Sequence, residues 1–551
     1  MASHTAIILQ ALLLFLGAWL AALLPRADST LLRAWSRRWD RLANHRWLAI
    51  GLTALVSVTA STIFLLSQGW PVPRVHDEFS YLLAADTYAR GRCANPTPPH
   101  WEHFETPHVL MQPTYASKYL PMQGLLLAAG QVLTGRPAVG AVLGLALACA
   151  ATCWMLQAWL PPRWALLGGI LTAVNPEMAK WWGGTYWGGA PGLLGGALVL
   201  GAFRRLLARP HWGQGIVLGV GWGILAASRP FEGLVVSLPV AVVLVVRWLR
   251  WPGPMARAAA LYVALPVAAV LAITLAGVAF LNACVTGSPW RLPYLEYERQ
   301  YAAVPLFLVQ PLPPRPDVRH AILRNFQQLW IDDYHRQRTR LGLVQMPLTK
   351  GFLMWLFYVM PALTVPWLAL PWTLRDPWVR VALAVAALLW VAIGLTTFFN
   401  PHYFSPAVGL FFYLEVRCLR QLRLCRFQGR PAGRFLARLV VVVYLVTALP
   451  QLTSPLVSTR LSAWAQARAE VQRRLEALGG RHLVLVHYGP GHHPFDEWVY
   501  NGADFATAPI LWARSISPER DAALQAAYAD RMCWRLAADA QPPALTPCPP
   551  P

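Results

Sequence analysis

Apolar runs of 18 residues or more recur along most of this chain, and no other feature limits its fold as strongly. A helix of ~20 residues rises through the ~30 Å of a bilayer's hydrocarbon core. Inside that core the backbone must satisfy its own N–H and C=O groups, which leaves helices and closed barrels. A barrel needs alternating stretches of ~10 residues, and the runs here are continuous instead. The expected fold class is therefore an all-α polytopic membrane protein. The composition agrees, with 56% hydrophobic and 13% charged residues, against a charged share of about 25% in soluble chains.

The first run, 6–24, follows Met-Ala-Ser-His, which lacks the positive charge that precedes a signal peptide's apolar core. Its charges come afterwards, at Arg26, Arg33, Arg37, Arg38, Arg41 and Arg46. This reads as a retained helix followed by a basic inner loop. Further spans are expected near 47–68, 137–160, 164–179, 190–208, 213–227, 230–248, 258–281, 351–372, 380–399, 405–418 and 439–456, about twelve in all. The short apolar piece 121–135 is expected to lie at the interface.

A formal charge of +22 can signal nucleic-acid binding. Here the arginines gather at the ends of apolar runs, which is the positive-inside pattern, so no nucleic acid is expected. The expected inner turns hold Arg163; Arg204, Arg205 and Arg209; Arg247, Arg250 and Arg257; Arg375 and Arg380; and a dense set over 417–438. The short outer turns hold only Lys180 and Arg229. This asymmetry puts three larger pieces outside: the loops 69–136 and 282–350, and the tail from 457.

Three regions follow. Residues 1–46 are an extra N-terminal helix with its basic cytoplasmic loop, and 47–456 form the main transmembrane module. Residues 457–551 form a small α/β extracytoplasmic domain, with helices over 461–478 and 518–530 and short strands at 482–488, 510–514 and 533–536. The eight cysteines show no CxxC and no zinc spacing. Cys533 and Cys548 can pair if the tail faces an oxidising compartment.

Candidate chemistry gathers on the outer side. His76, Asp77 and Glu78 follow the second span, where acids are costly unless solvated or paired. A carboxylate there can serve as general base toward a hydroxyl; a solvated acidic turn is the plain alternative. The stretch His100, Glu102, His103, Glu105 and His108 has the residue types of a divalent-metal site but matches no specific spacing. No metal is assigned and no cofactor is expected to be required. Lys118 is one of only three lysines among 47 basic residues. It stands where the first outer loop returns to the membrane, placed to hold a phosphate as a compact charge or to snorkel at the interface. Arg229 runs against the positive-inside trend and calls for a partner, either Glu232 or an anionic ligand. The aromatic turn 180–190, with Tyr186 and Trp187, and the turn 400–406, with His402 and Tyr403, add groups suited to a sugar face or an isoprenoid chain.

Together these landmarks resemble the GT-C superfamily of membrane glycosyltransferases. The similar branch is the protein O-mannosyltransferase and aminoarabinose-transferase type, including RgtA/B/C/D-like enzymes. The resemblance covers roughly 47–450. It rests on Asp77-Glu78 early in the first outer loop, Lys118 with Pro121 at its return, Ser228-Arg229-Pro230, and His402-Tyr403 with Pro406. It implies a polyprenyl-phosphate sugar donor and a lipid, glycan or protein acceptor with a hydroxyl on the outer face. It also implies an inverting transfer in which Asp77, with Glu78 beside it, is the catalytic acid pair and Asp77 takes the acceptor's proton. Lys118 and Arg229 would bind the donor phosphate, with His76, His103, Tyr186, Trp187, His402 and Tyr403 lining the substrate. The expected location is a bacterial inner membrane, with the site and tail extracytoplasmic. The chain departs from the family in its extra first helix, in Lys-Tyr-Leu-Pro where Lys-Pro-Pro-like sequences are usual, and in His402 where many members carry Arg. The rival reading is a secondary transporter of twelve helices, which would place ionisable residues near the midplane in repeated halves; here the ionisable residues are expected to avoid span centres. A third reading is a scaffold that presents its tail.

Overall fold

The structure is a computed structural model, and it describes residues 8, 10–16, 30–426, 432–456 and 459–549. Most of the first apolar run, Arg26 and the centre of the basic 417–438 segment lie outside the described residues. The part of the first run that is described is helical and inserts Gln10 between later helices. Its amide donates to Thr447 at 2.8 Å and its carbonyl accepts from Ala362 N–H at 3.0 Å.

The described helices begin with α1 (Thr30–Asn44), α2 (Arg46–Gln68) and α3 (His76–Ala89). After a small hairpin, β1 (Val109–Leu110) with β2 (Ala116–Ser117), come α4 (Pro121–Thr134), α5 (Pro137–Trp159) and α6 (Pro162–Ala173). Then follow α7 (Ala190–Leu206), α8 (Trp212–Ala226), α9 (Pro230–Leu249) and α10 (Gly253–Thr286). The second large loop holds α11 (Pro293–Tyr301) and α12 (Ala321–Arg338). The remaining module comprises α13 (Gly342–Tyr358), α14 (Met360–Thr373), α15 (Pro377–Gly394), α16 (Val408–Leu422) and α17 (Ala432–Thr453). Many of these helices open on proline, whose missing N–H is one the first turn leaves unbonded anyway. Helix α15 is also capped by Asp376, which accepts from Trp378 N–H at 2.9 Å.

Six of these helices are long and apolar enough to cross a membrane, namely α2, α5, α9, α10, α15 and α17. A seventh crossing is α13 with α14 if that pair, bent by 105°, is one broken span. Length and composition therefore do not carry the count of about twelve. Helices α6, α7, α8 and α16 are shorter than a full crossing. Three of them sit deep within the bundle: most residues of α6, α7 and α16 are buried against neighbouring helices. The piece 121–135 is indeed a short helix, α4.

One expectation is overturned. Ionisable groups do not all avoid the interior of the helices: Glu415, midway along α16, is fully buried and accepts from Trp367 Nε1 at 2.7 Å. Glu177 and Lys180 form a buried ion pair at 3.0 Å. Glu177 is paired, whereas Glu415 has one oxygen bonded by Trp367 and its Oε1 buried without a hydrogen-bond partner among the described residues.

The tail folds as read, with one addition. Helix α18 (Thr459–Leu478) precedes β3 (His482–His487), β4 (Ile510–Arg514), α19 (Pro518–Ala527), β5 (Met532–Ala537) and β6 (Ala544–Pro547). The sheet order is β4-β3-β5-β6, parallel except for β5 with β6. The proline-rich end conceals β6, an edge strand, where proline is tolerated. The Cys533–Cys548 disulfide ties β5 to the residue after β6. The domain's core continues into the first outer loop: Phe79, Phe104, Val109 and Tyr115 pack with Trp464, Trp498 and Trp512.

Candidate active site

Asp77 lies in the first turn of α3, where acidic side chains complement the helix dipole. It is half-buried and lines two adjoining cavities. The larger, of about 250 Å³, also holds Arg229, His402, Tyr403, Gln123 and Ser228. The smaller, of about 110 Å³, also holds Lys118, His108, Glu298 and Trp330. Tyr119, Tyr294 and Tyr403 line both, so the wall between the cavities is made of tyrosine rings with Asp77 beside them. The Tyr119 hydroxyl donates a short hydrogen bond to Asp77 Oδ1, which fixes the carboxylate and leaves Oδ2 for another partner.

A local device sets the position of Lys118 relative to Asp77. The β1–β2 hairpin brings residue 118 back beside 108, with Lys118 N–H donating to His108 O at 3.3 Å. Ser80, one turn after Asp77, donates to His108 O and bonds the Ser117 hydroxyl, both at 2.7 Å. Acid and lysine are thus tied to one scaffold by a single serine. Lys118 is buried, with Nζ 3.4 Å from Glu298 Oε1 and over the rings of Tyr297 (4.4 Å), Tyr294 (4.7 Å) and Tyr119 (5.5 Å). Burial pulls the lysine's pKa down, opposed by Glu298 and Asp77, while burial raises that of Glu298. Both shifts favour the neutral forms, so one contact at 3.4 Å does not offset the desolvation of the pair. Glu298 is the carboxylate within ion-pair distance of Lys118 Nζ, which also borders the smaller cavity.

Arg229 precedes α9 and stands over the Tyr403 ring at 4.7 Å, with Nη1 3.8 Å from Glu232 Oε1. That long ion pair leaves most of the guanidinium facing the larger cavity. The turn bearing His402 and Tyr403 lies against α7 because two glycines leave room for it. A Cβ at Gly192 would stand 2.1 Å from Ser405 Oγ, and one at Gly196 would stand 2.0 Å from Pro406 O.

Other expected residues are placed elsewhere. Glu78 lines neither cavity; it is buried and accepts from Arg74 N–H at 2.7 Å and Tyr186 N–H at 3.1 Å. Burial raises its pKa, opposed by those backbone donors. Its placement is that of a brace between the start of α3 and the aromatic turn, because alternate positions in a helical turn face different ways. Tyr186 is turned away, donating its hydroxyl to Pro71 O at 3.0 Å, and Trp187 reaches the site only through its edge-on contact with His402 at 5.2 Å. His76 and His103 face the tail domain. His76 Nδ1 bonds the Tyr500 hydroxyl at 2.6 Å and Nε2 bonds Pro494 O at 3.1 Å, while His103 Nδ1 bonds Arg514 O at 2.7 Å. Among the described residues, no cluster of His, Cys, Asp and Glu could hold a metal ion.

Two predictions arise here. Glu78→Gln offers one acceptor and one misplaced donor to two backbone N–H groups, so a loss of about 1–3 kcal/mol in stability is expected. Thermal melting should report that loss, and transfer by the folded fraction should fall much less than it does for Asp77→Asn. The second concerns His76, whose pKa burial lowers to about 4, with Glu497 and Asp77 opposing. The unfolded chain then binds a proton near pH 6.5 that the folded chain refuses until about pH 4, so stability is full above 6.5 and is lost as pH falls between those values. The loss is of order 3 kcal/mol, and a melting temperature that stays flat from pH 6.5 to 4 would contradict it.

Four residues that sequence reasoning passed over line the smaller cavity: Tyr294, Tyr297, Glu298 and Tyr301. Their spacing was the signal, since positions i, i+3, i+4 and i+7 share one face of a helix, here α11.

No family model and no curated protein matches the sequence. Solved structures do. The chain is similar to ArnT from Cupriavidus metallidurans bound to undecaprenyl phosphate, at 13% identity and a TM-score of 0.48, over 88% of this chain and 93% of that one. It is similar to the Archaeoglobus fulgidus oligosaccharyltransferase in the apo form at 13% identity and a TM-score of 0.47, over 83% of this chain. This chain spans only 63% of that protein's length. AglB from Archaeoglobus fulgidus, in complex with an inhibitory peptide and a dolichol-phosphate, overlaps at 14% identity and a TM-score of 0.41, over 83% of this chain and 64% of that one. At such scores no residue role passes from these proteins to this chain.

Proposed function

We propose that this protein is a GT-C-type glycosyltransferase that moves a sugar from a polyprenyl-phosphate donor to an acceptor hydroxyl. The acceptor oxygen attacks the anomeric carbon as the bond from that carbon to the phosphate oxygen breaks. The acceptor's proton goes to Asp77, the leaving group is polyprenyl phosphate, and a single displacement inverts the anomeric centre. Lys118 and Arg229 stabilise the charge that grows on the leaving phosphate. Tyr119 orients the base, Glu78 braces it, and His402 and Tyr403 line the sugar's side. This step draws on no metal. The observation that supports the reading most is the half-buried Asp77 at the junction of two cavities, one holding Lys118 and the other Arg229.

The test is incubation of the purified protein with a panel of polyprenyl-phosphate sugars and candidate lipid, glycan and protein acceptors, reading release of free polyprenyl phosphate. Release with one sugar that depends on Asp77 supports the reading. No release from any donor favours the transporter alternative, for which buried Glu415 is the specific observation. We further propose a bacterial inner membrane with the site and tail outside. Single-cysteine labelling should then reach positions 100, 320 and 500 from one side and position 375 from the other; labelling of 100 and 375 from the same side contradicts that orientation.

A further inference from the structure

A further concave surface lies outside the candidate active site. It is a groove of about 460 Å³ between the first turns of α13 and the last turns of α15. Leu343, Met346, Trp390, Val391 and Leu395 make it apolar, and Arg338 and Gln337 stand at one end. Both helices belong to candidate spans, and Leu343, Val391 and Leu395 in its lining are exposed. It is built rather than collapsed. Beneath it, Lys350 Nζ fastens the two helices by donating to Thr396 O at 2.7 Å and Ile393 O at 3.2 Å. Above it, Gln337 Nε2 donates to Thr397 O at 2.8 Å. Its lining runs over about five residues of each helix, roughly 8 Å along the axis.

We propose that this groove binds an anionic glycerophospholipid from the leaflet on the cavity side. The charge at its polar end selects the occupant. Arg336, Arg338 and Arg340 follow one another at the end of α12; Arg336 is paired with Asp333, whereas Arg338 and Arg340 meet no carboxylate among the described residues. The Arg338 guanidinium donates to the Tyr334 hydroxyl, which holds it at the mouth. An arginine fork held in this way suits a phosphate oxygen pair. The donor's own isoprenoid tail is the less fitting occupant, because a backbone wall separates groove from cavity. In that wall Leu308 N–H donates to Leu395 O at 2.9 Å and Thr397 N–H donates to Leu306 O at 2.9 Å. Leu306, Phe307 and Thr396 face the larger cavity, and Leu308 and Leu395 face the groove. Lipid in the groove therefore presses on the outer side of the same wall that shapes the candidate site.

The test is lipid retention by the full chain, measured by native mass spectrometry after delipidation and titration with phosphatidylglycerol or phosphatidylcholine. Wild-type protein should hold one phosphatidylglycerol at least 10-fold more tightly than phosphatidylcholine. Arg338→Gln should reduce phosphatidylglycerol to the phosphatidylcholine level. Gly394→Leu should lose both lipids, since a Cβ there meets only Pro347 Cγ, at 3.9 Å, and the side chain fills open groove. Arg338 is exposed, so its variant decides the matter even if Gly394→Leu folds poorly. Equal retention of the two lipids, wild-type retention by Arg338→Gln, or one-for-one displacement of phosphatidylglycerol by polyprenyl phosphate would each overturn the proposal. The readout requires no transfer, so its failure is distinct from failure of the glycosyltransferase reading.

Discussion

Asp77→Asn is expected to insert and fold normally, to keep binding donor, and to lose transfer by about 10²- to 10⁴-fold. The amide has nearly the volume of the carboxylate and can still accept from Tyr119, whose hydroxyl now holds Oδ1. What it cannot do is take a proton from the acceptor. The comparison that isolates this loss is single-turnover transfer set beside donor affinity: affinity should hold while the chemical step collapses. Glu78→Gln supplies the contrast, because Glu78 faces two backbone N–H groups rather than either cavity. Wild-type transfer by well-folded Asp77→Asn protein would remove the catalytic assignment. Equal collapse in both variants, at equal stability, would mean that the two acids act as a unit.

Lys118→Ala should lower donor use about 10- to 100-fold, the loss of one hydrogen bond between a charged group and phosphate of roughly 1.5–3 kcal/mol. Stability should fall far less. In the free protein the ammonium is desolvated and has one carboxylate contact at 3.4 Å, so removing it also removes an unfavourable burial. Glu298 is then left alone in its pocket, where burial already favours its neutral form. Lys118→Arg should recover part of the donor use, because charge is retained while a planar fork replaces the compact ammonium beside Tyr294 and Tyr297. The measurement is kcat/KM for donor together with the melting temperature. Unchanged donor use in the alanine variant would reduce Lys118 to an interfacial anchor.

Much of this arrangement could be read in the chain because some signals are local. The positions of α2, α5, α9, α10, α15 and α17 follow from apolar length, and the tail's strands β3, β4 and β5 from short apolar runs between turns. Asp77 stood out as an acid just after a span, Lys118 as a rare lysine, and Arg229 as a charge on the unexpected side. Each of those signals concerns a residue and its immediate neighbours.

What the sequence left open shares the opposite property. Whether α6, α7 and α16 cross a membrane depends on what surrounds them, since burial by neighbouring helices replaces the length that lipid would demand. Glu78 and Asp77 are adjacent in sequence, yet a helical turn points one at the cavities and the other at the backbone of Tyr186. His76 and His103 were grouped with the substrate by nearness in the chain, and the tail domain, four hundred residues on, claims both. The sequence by itself determined the class of fold, the order of its main helices and the acid and two cations of the candidate site, because hydrophobic length and unpaired charge are written residue by residue. Only the tertiary structure decided which neighbour faces a cavity and that Tyr119 holds Asp77. It likewise decided that α11 turns its tyrosines onto Lys118, because those facts depend on helix packing between segments far apart in the chain.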